Sequence, residues 1–291
     1  MTAARPARLR VGVIGAGRVG AVLGAALARA GHNVVAVSAI SRESVRRAER
    51  LLPATPIRPP HEVVDVADFV LLAVPDDTLR RLVGGLAATD AWRAGQIAAH
   101  TSGAVGIGAL DPAAARGVLP LALHPVMTFT GRPEDVEKLH GAAFGVTAPD
   151  ELRPVAEALV MELGAEPIWV PELARPLYHA ALTVGANHLV TVVNDALDLL
   201  ARSGIEHPAR LLAPLLSAAL DNALRLGDIA LTGPISRGDV TTVRTHLATL
   251  AQDAPETVPS YIAMARRTAE RALSAGRINV EQAQEIAEAL S

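Results

Sequence analysis

The chain has 291 residues, half of them hydrophobic, with a formal net charge of −3 and 2% aromatic residues. That length accommodates one large or two ordinary domains, and the near-neutral charge gives no electrostatic case for nucleic acid or an anionic membrane. So few aromatics leave no stacking platform for bases, and with no cysteine there are no disulfides, thiolate metal sites or cysteine nucleophiles. No metal site is expected.

The arginine-rich first ten residues run straight into a glycine motif, with no signal-peptide core between. The most apolar stretch, around 180–200, is interrupted by Asn187, His188, Asn194 and Asp195, so it does not reach the length of a membrane span. A cytoplasmic protein is the expectation.

Leu9, Val11, Val13 and Ile14 read as a short strand. Gly15, Gly17 and Gly20 follow in G-x-G-x-x-G spacing, and Val19, Val22, Leu23, Ala26, Leu27 and Ala30 then recur at helical intervals. Gly31 stands where a helix C-cap is expected, and Val34 to Val37 reads as a second strand. Strand, glycine turn, helix and strand in this order are the context that makes the motif a dinucleotide site. Gly15 permits the tight turn, Gly17 leaves room for a pyrophosphate, and Gly20 lets helix pack on strand. The phosphates would face the amides of Arg18 and Val19 at the positive end of the helix. The alternative is a Rossmann-like turn that binds another adenosine cofactor, or none.

NAD sites usually carry an acid at the end of the second strand, to hold the ribose 2′-hydroxyl. Residues 32–42 contain none; the strand runs out through Ser38 to Ser41 and Arg42. Hydroxyls and a guanidinium suit a 2′-phosphate instead, so the expected cofactor is NADP. Ser41 also has the position of a cap for a helix from Arg42 to Leu52.

Pro56 to Pro60 reads as a loop. Ala67 to Val74 is a buried central strand, with a helix after Pro75. Gln96 to His100 and Val118 to Leu123 are further strands, Ala142 to Val146 is an edge strand, and a helix over 150–163 and a strand over 167–170 complete a first domain, residues 1–170. Ligands bind at the carboxyl ends of such strands. The loops expected there are Gly15–Gly20, Val74–Pro75–Asp76–Asp77, His100 to Ala104 (with Thr101 and Ser102 as cofactor or substrate contacts), and His124 to Gly131. Turn chemistry alone also accounts for Thr101 and Ser102.

From Glu172 the pattern is helical, giving a second, all-helical domain over 171–291. One long helix is expected from Glu172 to Arg202, with others over 208–226, 240–250, 259–275 and 280–290. The fold class is therefore α/β: a doubly wound, mainly parallel Rossmann sheet followed by an all-α domain. On the long helix His179, Thr183, Asn187, Thr191 and Asp195 fall four apart, an uncharged line until Asp195 that suits a cleft wall. It equally suits a solvent-facing stripe.

His124, followed by proline at a strand end, is the strongest acid–base candidate, since an imidazole titrating near neutrality can protonate a developing alkoxide. A structural histidine is the alternative. Arg237, flanked by Gly233 and Gly238, suits a substrate carboxylate, unless it pairs with Asp239 to cap the next helix. Lys138 is the only lysine, and its acidic neighbours mark it as a solvated helix residue.

With these residues laid out, the chain resembles the superfamily that joins an NADP-binding Rossmann domain to a 6-phosphogluconate-dehydrogenase-like helical domain. The resemblance spans roughly residues 9 to 290. The segments His100 to Ala104, Leu123 to Pro125, and Gly233 to Asp239 look like marks of a bacterial branch with ketopantoate-reductase-like members. The resemblance implies a small-molecule carboxylate substrate and a homodimer formed through the helical domain.

One departure matters. β-Hydroxyacid dehydrogenases and the usual ketopantoate reductases place lysine four residues before the helix asparagine; aligning on Asn187 puts Thr183 there. His124–Pro125 resembles instead the His–Pro loop of prephenate dehydrogenases. The expected activity is NADPH-dependent reduction of 2-dehydropantoate or a similar 2-keto acid, with His124, Asn187 and Arg237 as catalytic residues. The alternatives are a pyrroline-5-carboxylate reductase-like or prephenate/arogenate dehydrogenase-like enzyme, and an NADP sensor without turnover.

Overall fold

The computed structural model describes residues 8–291; part of the expectation about a leader falls on residues 1–7, outside them. The chain divides into two compact units, residues 1–183 and 184–291. The division lies beyond the boundary read at 170/171, inside a π-helical turn, Thr183–His188.

The first unit runs β1 (Arg10–Ile14), α1 (Arg18–Arg29), β2 (Asn33–Ser38), α2 (Arg42–Leu51), α3 (Pro60–Val66), β3 (Phe69–Leu72), α4 (Asp76–Ala88), β4 (Ile97–His100), α5 (Asp111–Ala114), β5 (Leu119–Val126), α6 (Glu134–Lys138), β6 (Ala143–Thr147), α7 (Arg153–Glu162), β7 (Glu166–Trp169) and α8 (Arg175–Leu182). The seven strands lie in the order β2-β1-β3-β4-β5-β6-β7. All neighbours are parallel except β5 and β6. The chain leaves β1 to one side for β2 and returns to the other for β3, so the switch point of the sheet lies at the glycine turn, where doubly wound sheets bind ligands.

Successive strand residues serve opposite faces. Phe69 and Leu71 join one buried cluster with Val11, Val13 and Leu23, while Val70 and Leu72 join the other with Val63 and Val83. Burial on both faces is why these strands read as continuous apolar runs.

Three sequence expectations are corrected here. Pro56 to Pro60 is not all loop: Pro60 occupies the first turn of α3, where its missing amide costs nothing, and α3 packs so closely on β1 that a Cβ at Gly12 would lie 2.6 Å from Val63. β6 is not an edge strand, because β7 pairs with it on the far side from β5. β5 does not end before His124. Its pairing with β4 stops at Ala122, but its antiparallel pairing with β6 continues to Val126. Beyond Ala122 the β4 side of β5 is an open edge, where Pro125 removes no needed donor.

The second unit contains α9 (Leu189–Arg202), α10 (Pro208–Leu226), α11 (Val240–Asp253), α12 (Val258–Ser274) and α13 (Val280–Ala289). Its buried cluster comes from α11, α12, α13 and the turn before α13, with Val243, Ala265, Ala272 and Ile286 at the centre. The single helix expected over 172–202 is interrupted by the π turn, so the four-residue spacing from His179 to Asp195 does not mark one straight face.

Candidate active site

The glycine turn is packed as its spacing requires. Gly15 has φ +99, and a Cβ there would overlap the carbonyl of Ala73; a Cβ at Gly20 would overlap the Gly15 carbonyl and approach Ala73 to 2.8 Å. Gly17 differs: nothing lies within 4 Å of its Cβ position, so its lack of side chain leaves open space. The amides of Gly15 and Ala16 donate to the Ser38 carbonyl at 3.0 and 3.1 Å. Those of Gly17, Arg18 and Val19 find no acceptor among the described residues. Unused amides beside open space at a helix N-terminus fit a phosphate.

Val74 belongs to this turn, its Cγ1 3.1 Å from the Gly15 Cβ position, and Pro75 caps α4 beside it. Ser38 is buried against the turn. Ser41 caps α2 by accepting from the Ser44 amide at 3.1 Å, and Arg42 is exposed with no partner among the described residues. Arg47 also belongs here: it donates to the Ala16 carbonyl at 3.1 Å. Only its charge, one turn beyond Arg42, marked it in the sequence.

The second cluster lies around His124. Its cross-strand partner is Gly145, and a Cβ at Gly145 would overlap the Tyr178 hydroxyl. The missing side chain lets Tyr178 of α8 reach over β6, where its hydroxyl lies 2.8 Å from His124 Nδ1. The two rings meet edge to face at 5.6 Å, and His179 meets His124 likewise at 6.2 Å. On the other side, a Cβ at Gly103 would lie 2.8 Å from His124 Nε2 and 2.7 Å from His179 Cδ2.

Arg175, fully buried, anchors this corner. Its Nε donates to Thr147 Oγ1 at 2.9 Å, one terminal nitrogen to the Ser102 carbonyl, and the other to the carbonyls of Ala122 and Gly145, each at 3.0 Å. A guanidinium bonded to neutral oxygens keeps its positive charge uncancelled. Glu172 is the nearby acid; it accepts from the amides of Ile107 and Gly108 at 2.9 and 3.1 Å.

The electrostatic consequence alters the role expected for His124. Burial, and then the Arg175 charge, lower its pKa to about 4, with Asp76 opposing weakly. His124 is therefore neutral at pH 7, a hydrogen-bond donor and acceptor instead of an imidazolium acid. His100 is held near 4 in the same way, chiefly by burial. Its Nε2–H donates to the Gly106 carbonyl at 2.9 Å, and its Nδ1 accepts from the Ser102 amide at 3.2 Å. The Ser102 hydroxyl accepts from the amides of Ala104 and Val105, which is the turn chemistry that competes with a ligand role. The Thr101 amide donates to the Leu72 carbonyl.

In the second unit Asn187 is exposed, and its side chain has no partner among the described residues. Arg237 is likewise exposed and unpaired there. Asp239 caps α11 by itself, accepting from the Thr242 amide at 3.0 Å and hydroxyl at 2.7 Å, so Arg237 is not needed for the cap. Lys138, exposed, lies 3.5 Å from buried Asp135.

Residues 1–125 match the Rossmann-like domain family, and residues 142–268 match a domain of unknown function, DUF2520. The two matches meet at this site: His124 is in the Rossmann-like match, while Gly145, Arg175, Tyr178 and His179 are in the DUF2520 match.

Solved structures share this fold. One from Bacteroides fragilis, described provisionally as an NADP oxidoreductase, is 23% identical with a TM-score of 0.75, covering 90% of this chain and 98% of its own. An imine reductase from Pseudomonas sp. is 18% identical with a TM-score of 0.59, covering 97% and 92%. A Plasmodium falciparum pyrroline carboxylate reductase with NADP bound is 11% identical with a TM-score of 0.57, covering 97% and 98%. No curated protein sequence matches the chain. The fold expected from the resemblance, a Rossmann domain followed by helices, is present.

Proposed function

We propose that the chain is an NADP-dependent oxidoreductase that reduces a small 2-keto acid, with 2-dehydropantoate as the leading substrate. The cofactor reading rests on the free amides and open space at Gly17, and on the run from Ser38 to Arg42 without an acid. A nicotinamide dinucleotide held there would supply the hydride. The chain's own part is to orient the substrate and manage its charge.

The observation that carries the reading is His124, neutral and part-buried, with one nitrogen engaged by Tyr178. A neutral imidazole polarises a carbonyl by donating a hydrogen bond and stabilises the oxyanion that hydride transfer creates. In the second unit, Asn187 carries an amide and Arg237 a guanidinium, groups that bind carbonyl oxygens and carboxylates; both lack partners among the described residues. Reduction of a cyclic imine is the second reading, favoured by the names of the imine and pyrroline carboxylate reductases that share the fold. An iminium arrives already protonated, whereas a ketone needs a proton at its oxygen, and the His124 pair serves that need.

We also infer that the chain works as a homodimer in the cytoplasm. The support for the dimer is the apolar surface of α9 and α10, which have no buried residue; among the described residues, no helix is long and apolar enough to cross a membrane.

The test is oxidation of NADPH, with NADH as control, across 2-keto acids and cyclic imines. Turnover of a 2-keto acid with preference for NADPH is expected, and His124→Ala should lower kcat by on the order of 100-fold with little change in NADPH affinity. Tight NADPH binding with no turnover on the panel would identify a sensor instead.

A further inference from the structure

Within that reading, we propose that Tyr178 acts through His124 as a proton relay, its phenol reloading Nδ1 while Nε2–H protonates the substrate oxygen. Three features of the geometry lead there. Gly145, opposite His124 on β6, provides the only kind of residue that leaves room for the Tyr178 hydroxyl, which lies 2.8 Å from Nδ1. Gly103 lets the backbone approach the other nitrogen, since a Cβ there would lie 2.8 Å from Nε2 and 2.7 Å from His179 Cδ2. Arg175 holds this corner together through Ser102, Ala122 and Gly145, and its guanidinium lies 5.9 Å from the centre of the Tyr178 ring.

A neutral imidazole that gives up its only N–H becomes an anion, which is prohibitive unless the other nitrogen gains a proton in the same step. The relay removes that difficulty. Once hydride has reached the carbonyl carbon, the oxygen bears the negative charge. The Nε2–H bond breaks as the product O–H forms, and the Tyr178 O–H bond breaks as Nδ1–H forms. The imidazole stays neutral in its other tautomer, and the charge ends on the phenolate, facing Arg175. Solvent then returns a proton to Tyr178, and the imidazole reverts. Burial raises the Tyr178 pKa above the usual tyrosine value while the Arg175 charge opposes that. The phenol is thus loaded at neutral pH, and its anion has a counter-charge when it forms.

The charged and titratable groups around His124 are Tyr178, His179 and Arg175 of α8, Asp76 at the start of α4, and His100 at the end of β4. Tyr178→Phe removes the relay proton and leaves the other four in place. Two readouts separate a relay from mere packing. The first needs no turnover: ¹⁵N spectra of histidine-labelled full-length protein, with His124→Gln for assignment. They should show the Nε2–H tautomer with Nδ1 accepting in the wild type, and loss of that Nδ1 signature in Tyr178→Phe. An Nδ1–H tautomer in the wild type, or no change in the variant, overturns the proposal.

The second readout is the pH profile. Tyr178→Phe should lower kcat by ~10-fold or more at pH 7, with KM and NADPH affinity nearly unchanged. Its residual rate should climb as pH falls toward about 4, since only an imidazolium then delivers a proton without leaving an anionic ring. The wild-type rate should stay flat through neutrality. A variant with wild-type kcat, or a loss equal at every pH, overturns the relay while the reductase stands. A wild-type chain that turns over nothing on the panel overturns the reductase reading itself, and the relay with it.

Discussion

The sheet unit places polar groups inside, while two helices of the second unit leave apolar groups outside. Arg175 and His100 are fully buried in the first unit, with Asp135 and Ser102 also buried. In the second, α9 and α10 bury no residue, and Leu215 and Leu224 are 65% and 80% exposed. Scattered exposed leucines are ordinary, but a helix with none of its apolar residues fully buried is not. Both departures run against what would most simply stabilise a monomer. The proposed activity gives the buried guanidinium a role through the charge it places beside His124, and the proposed dimer would cover the exposed leucines.

The largest expected effect breaks the first side of this contrast. Arg175→Met keeps the length and apolar bulk of the side chain but strands the carbonyls of Ser102, Ala122 and Gly145. Unfolding in urea should show a loss on the order of 3–9 kcal/mol, since each of the three buried unsatisfied acceptors costs about 1–3. Arg202→Met in the second unit removes an exposed pair with Glu256 and should cost at most about 1 kcal/mol. Similar losses in the two variants would mean that Arg175 is only a packing residue.

How legible each unit was in the sequence follows the same division. The glycine turn, with its fixed spacing between β1 and α1, is local, so it could be read directly, as could α10, α12 and α13 from their periodicity. His124 was visible as a histidine before a proline. Its surroundings were not, because they depend on register: Gly145 matters only once β6 is seen opposite β5, and Tyr178 only once α8 lies over that gap. The fall of the His124 pKa has the same origin, since Arg175 is 51 positions away along the chain and adjacent only in the fold. α3 was missed because its opening prolines signal a loop as strongly as a helix start. The break at Thr183–His188 is not legible in the sequence because a π turn leaves the helical periodicity on either side of it intact.

The next effect is on pH stability. His100 is neutral in the folded unit down to about pH 4, while in the unfolded chain it takes up a proton below its ordinary 6.5. The unfolded state therefore binds more protons between these values, and stability falls as pH drops from 6.5 to 4. The full loss is roughly 3 kcal/mol for His100, with His124 behaving alike. Urea midpoints at pH 7 and pH 4.5 should show it. His100→Gln should be weaker at pH 7 but lose less on acidification; an equal loss in the variant would place the acid sensitivity elsewhere.

The smallest effect decides what covers the second unit. Leu224 is 80% exposed on α10. If nothing packs on it, Leu224→Ala changes stability by no more than about 0.5 kcal/mol, as exposed positions do. If a second copy covers it, the same change removes about 2 kcal/mol of burial from each site in the interface. That loss appears as weaker association before it appears as unfolding. Light scattering of the wild type should give twice the 30.2 kDa chain mass, with the variant dissociating at higher concentration. A wild type at single mass, with a variant indistinguishable from it, would leave α9 and α10 as surface helices and remove the reason for treating their leucines as an interface. The His124 corner would be untouched by that outcome, because every residue in it belongs to the sheet unit.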